Sequence, residues 1–62
     1  MDVINVVETD GTETHVYRIE NSPCSVIEFL DTIHRHVTDG IISVPVAGRI
    51  IHLFREAFDR LN

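Results

Sequence analysis

The chain is expected to fold as an α+β domain in the order β-β-α-α, with an N-terminal hairpin over about 3–20, a helix over about 23–38 and a helix over about 45–61. Three observations carry this. Asp10-Gly11 stands between two β-branched runs, Ser22-Pro23 and Gly40 bracket a stretch of helical periodicity, and Pro45 to Leu61 forms the longest amphipathic run in the sequence.

Val3 to Val7 and Thr14 to Glu20 are rich in β-branched and aromatic residues at strand-like spacing. Asp-Gly between two such runs signals a tight hairpin, because a type I′ turn needs positive φ at both central residues. With Asp10-Gly11 as that turn, Thr9 faces Thr12, Val6 faces His15 and Ile4 faces Tyr17. One face then carries Ile4, Val6, His15, Tyr17 and Ile19, and the other is mixed. A two-stranded ribbon is marginal alone, so helices or a second copy must cover it.

Ser22 is placed to cap the first helix, and Pro23 takes the first helical position, where a missing N–H costs nothing. The apolar stripe of that helix is Val26, Phe29, Leu30, Ile33 and Val37, with Ile27 on its flank. Gly40 suits the left-handed residue that closes a helix. The stretch from Ile41 to Val46 reads as an extended linker in preference to a third strand, which Pro45 would confine to an edge. The residue before a proline avoids the α region, which sets the start of the second helix at Pro45. Its apolar face, from Ala47 through Ile50, Ile51, Leu53, Phe54, Ala57 and Phe58 to Leu61, is wider than one neighbouring helix and a hairpin can cover, which leaves part of it for a partner.

Sixty-two residues make one domain, and a domain of this size buries only about 60% of the surface its unfolded chain exposes. Cys24 is the lone cysteine, so a disulfide within the chain is excluded, and good packing or a homodimer must supply stability. A lone thiol also fits a reducing cytoplasm. The net charge of −5 argues against nucleic acid and anionic membranes as partners, and no apolar run or leader pattern suggests membrane insertion or secretion. All the bases are arginine, which reads as a genomic or halophilic composition bias.

The chemistry-bearing residues do not assemble a recognisable centre. His34 and His36 are two apart and point about 200° from one another on a helix. His52 and Glu56 share a helix face, a spacing that can hold zinc, but no third ligand is identifiable. Cys24 at a helix start has no positioned base, and there is neither a Gly-rich phosphate loop nor a nucleophile elbow. No cofactor, metal or enzymatic activity is therefore expected.

Function by contact remains. The expected role is that of a small acidic interaction module, a regulator or inhibitor that occupies the surface of an unidentified protein partner and pairs with itself. Ile51, Leu53, Phe58 and Leu61 are the candidate interface, and Glu8, Asp10 and Glu13 make the hairpin a candidate acidic docking element. The alternative is a dimeric nucleic-acid-binding transcriptional regulator that uses Arg49, Arg55 and Arg60 of the second helix.

Overall fold

The computed structural model describes residues 2–61. It shows an antiparallel hairpin of β1 (Val3–Asp10) and β2 (Glu13–Glu20), followed by α1 (Pro23–Thr38) and α2 (Val44–Leu61). The expected ββαα order holds. Both helices lie on one face of the ribbon, α1 over β2 and α2 over β1. They run antiparallel: Phe29 meets Phe54, and the start of α1 lies against Phe58 near the end of α2.

The hairpin register differs from the expected one. Val6 pairs with Tyr17, Glu8 with His15 and Asp10 with Glu13, so Gly11 and Thr12 are the turn residues. Gly11 has φ of 63°, and among the described residues none other than glycine has positive φ. That pattern is a type II′ turn, which needs the left-handed region at its first central residue alone. A type I′ turn on Asp10-Gly11 would force Asp10 into that region as well, and the chain avoids the cost by moving the turn one residue on. The change moves each cross-strand partner by two positions, and side chains alternate with period two, so the core-facing set is preserved. Ile4, Val6 and Ile19 are buried as expected, and Val7 and Val16 remain on the open face.

The ends of α1 follow the expected chemistry. Ser25 N–H donates to Ser22 Oγ at 3.2 Å, with Pro23 starting the helix. At the other end Gly40 has φ of 75°, Gly40 N–H reaches Val37 C=O at 3.1 Å and Ile41 N–H reaches His36 C=O at 2.8 Å. These two bonds make a Schellman motif. The linker between the helices is short and holds no strand, yet it inserts Ile42 into the core. Ser43 caps α2 by accepting the Val46 N–H at 3.3 Å, so the helix begins at Val44, one residue before Pro45. Pro45 is tolerated because N–H groups in the first turn have no partner within the helix.

The core joins Ile4, Val6 and Ile19 to Phe29 and Ile33 of α1 and to Val46, Ala47, Ile50 and Phe54 of α2. Leu30, expected in the α1 stripe, stays 44% exposed. Its helix touches β2 on one side and a limited strip of α2 on the other, so a narrower stripe suffices. Ile50 is fully buried, whereas Leu53 on the flank of the same helix is 36% exposed. Ile50→Ala is expected to cost about 2–5 kcal/mol by loss of burial and creation of a cavity. Leu53→Ala should cost under about 1 kcal/mol, a contrast that urea unfolding of the two variants measures directly.

Candidate interaction surfaces

The four expected interface residues of α2 do not share one surface. At 100° per residue Ile51 and Phe58 project within about 20° of each other, toward α1, and Leu53 projects about 160° from Ile51 on the other flank. There Leu53 lines a shallow groove with Glu8, Pro45, Gly48, Arg49 and His52. On the α1 side Phe58 packs on Phe54 with ring centroids 5.6 Å apart and closes a groove of about 450 Å³ with Pro23, Val26 and Ile27. Ile27, Leu30 and Ile51 are exposed, so the helical layer carries apolar side chains on its outward side; Leu61 is exposed too, but at the end of α2 on the same face as Ile50 and Phe54. Ile27 and Leu30 were not foreseen as surface, because helical periodicity marks an apolar side without saying how far the neighbouring elements reach across it.

The acidic hairpin is also divided. Glu8 lies on the core-facing side of β1, where its Oε1 accepts from Arg49 Nε at 2.7 Å and its side chain is 16% exposed. It ties β1 to α2 instead of projecting from the tip. Asp10 and Glu13 face each other across the turn and are exposed. Two carboxylates opposite one another repel, so the tip is held by the glycine turn and not by its charges.

The same contact bears on the arginine alternative. Arg49 is engaged by Glu8, while Arg55 and Arg60 lie exposed about 140° apart around α2. The three guanidinium groups are not gathered into one stripe. Arg35, in α1, lies 3.5 Å from Asp31 in an exposed pair worth about 0.5 kcal/mol.

The histidines separate in the same way. His36 faces the sheet, where the Tyr17 hydroxyl and His36 Nδ1 are 2.7 Å apart. His34 is exposed, and its carbonyl accepts from the Thr38 hydroxyl at 3.0 Å. His52 and Glu56 approach to 3.0 Å on the open side of α2, and no third ligand joins them among the described residues. His15 Nε2 is buried without a hydrogen-bond partner among the described residues; Glu13 is 3.7 Å away, too far for a hydrogen bond. Cys24 is exposed in the first turn of α1. Among the described residues no helix is long and apolar enough to cross a membrane.

A third groove, of about 410 Å³, runs along the outer edge of β2 beneath α1. Its floor is Tyr17, Ile19 and Phe29, and its rim carries Arg18, Glu20 and Glu28. Nothing in the sequence marked it, since it exists only where α1 overhangs the strand. The architecture is thus a helix-covered ribbon with an apolar helical surface and an open sheet edge. No protein-family model, curated protein or solved structure matches the chain.

Burial pushes the Tyr17 hydroxyl above its ordinary pKa of 10.0. Because the folded state holds the proton more tightly than the unfolded state, the associated stability is present below pH 10.0 and is lost as pH rises through the folded value. Phenolate absorbance should therefore titrate with a midpoint above 10.0 in the folded protein. Tyr17→Phe should remove that alkaline loss and cost about 1 kcal/mol at neutral pH.

Proposed function

We propose that this protein is a small non-enzymatic interaction module of the cytoplasm, a regulator or inhibitor that works by occupying a partner protein's surface, and that it pairs with itself through its helical layer. The observation that carries this reading is the outward apolar surface of α1 and α2. Ile27 is 68% exposed and Ile51 37%, beside Leu30 and the groove at Phe58. Buried between two copies, side chains of this kind contribute about 25 cal/mol for each Å² removed from water. A ribbon with two helices has a thin core, and burying this layer adds to it.

The net charge of −5 and an engaged Arg49 favour this reading over the nucleic-acid alternative, because a phosphate-binding face needs several free cations close together. The reading is tested by light scattering over a dilution series of the full chain. Self-association is expected at micromolar concentration, with an unfolding midpoint that falls on dilution. Ile27→Asp combined with Ile51→Asp should give a folded monomer, since both side chains are already exposed in the single chain. A strict monomer at all concentrations, with a midpoint independent of dilution, would remove self-association from the proposal. Retention on a DNA column that is lost in Arg49→Ala and Arg55→Ala would replace the reading with the nucleic-acid one.

A further inference from the structure

We infer that the free edge of β2, roofed by α1, is a docking groove for an extended peptide segment with alternating apolar and basic side chains, which it takes up as a third strand. This surface is separate from the outward helical layer proposed for self-association, so each can fail without the other.

The backbone phase of the hairpin determines which groups point into the groove. Asn21 N–H donates to Asp2 C=O at 3.0 Å, which makes that pair a hydrogen-bonded one. Hydrogen-bonded and non-hydrogen-bonded pairs alternate along an antiparallel ladder. With the observed register, Val7↔Val16 and Asn5↔Arg18 are therefore non-hydrogen-bonded pairs. The N–H and C=O groups of Val16 and Arg18 point away from β1, and among the described residues no backbone group pairs with them. They form an open ladder, the feature that strand addition uses for affinity.

The roof explains why a lone strand fits there. Packed helices lie about 8–10 Å apart, whereas paired strands lie about 4.8 Å apart. Two helices on a two-stranded ribbon consequently overhang its edges, and α1 extends beyond β2 with Ser25, Glu28 and Thr32 on its flank. Ser25 and Thr32 are small and leave room beneath the helix. A second copy added edge to edge would bring its own overhanging α1 into the same space, so the occupant is a segment without a helix above it. The opposite edge is less open, because Arg49 reaches from α2 to Glu8 of β1.

Side chains set the chemistry of the occupant. On the inward side Ile19 and Phe29 are buried in the core, so the apolar contact offered there is chiefly that of the half-buried Tyr17 ring. Glu20 and Glu28 outnumber Arg18 on the rim, within a chain of net charge −5, so basic side chains are favoured there.

The test uses the full chain and an acetylated, amidated peptide of about eight residues alternating valine and lysine, long enough to pair along β2. Amide exchange is followed by NMR during titration. The Val16 and Arg18 amides are expected to exchange at least about tenfold more slowly with peptide present, while those of Asn5 and Val7 do not change. Methylating alternate peptide nitrogens, or replacing the lysines with glutamates, should weaken binding at least about tenfold. Thr32→Trp fills the groove from α1 without entering the core and should abolish binding with the thermal midpoint retained. No protection of Val16 and Arg18 at millimolar peptide, or protection of Asn5 and Val7 instead, overturns the inference. So does binding to which nitrogen methylation makes no difference. Protection of Val16 and Arg18 in the peptide-free protein, at a mass of two chains, would show that the occupant is a second copy and reject the peptide.

Discussion

A line of aromatic contacts holds β2, α1 and α2 of this small protein to one another. Tyr17 of β2 meets the edge of Phe29 in α1 at 5.8 Å, Phe29 meets Phe54 of α2 at 4.9 Å, and Phe54 meets Phe58 at 5.6 Å. Each pair contributes about 0.5–1.5 kcal/mol beyond the area it buries. In a domain with so little interior that is a large share of any margin. The aliphatic core, with Ile50 at its centre, fills the space these rings define. The Tyr17 hydroxyl then finds His36, so the one polar group on the line is not left unpaired.

The dependence on this line explains why the surface is divided as it is. Phe29 and Phe54 set where the helices meet, and that contact fixes the rotation of each about its own axis. Once Phe54 and Ile50 face inward, Ile51 must emerge near α1 and Leu53 on the opposite flank beside β1. Ile27 and Leu30 are carried outward by the same constraint when Phe29 and Ile33 turn in. The apolar helical layer and the groove along β2 are consequences of covering a narrow ribbon with two wider helices. They are not built by residues selected locally for exposure.

Much of the architecture was legible in the chain because its signals are local. Ser22-Pro23 and Gly40 bracket α1 through capping groups and a left-handed residue, which act within a few positions. The face of each strand followed from period-two alternation, and it survived a wrong turn placement because that error moved the partners by an even number. The turn itself was misplaced because Asp-Gly is compatible with two hairpin turns. Choosing between them depends on whether Asp10 accepts positive φ, a small strain that composition does not reveal. The Ser43 cap and the inward turn of Ile42 were also missed, because Pro45 drew the helix start one residue too late.

Sequence alone thus determined the element order, the limits of α1, the inward sets Ile4, Val6 and Ile19 or Phe29 and Ile33, and the absence of an internal disulfide. Each rests on covalent composition, local capping or a fixed periodicity. Tertiary structure decided that Glu8 belongs to Arg49 and not to an acidic tip, that Leu53 parts company with Ile51, and that the edge of β2 lies under a roof. Those facts depend on distances between segments as far apart as β1 and α2. Such distances are set by how helices and strands of unequal width pack, which no local pattern encodes.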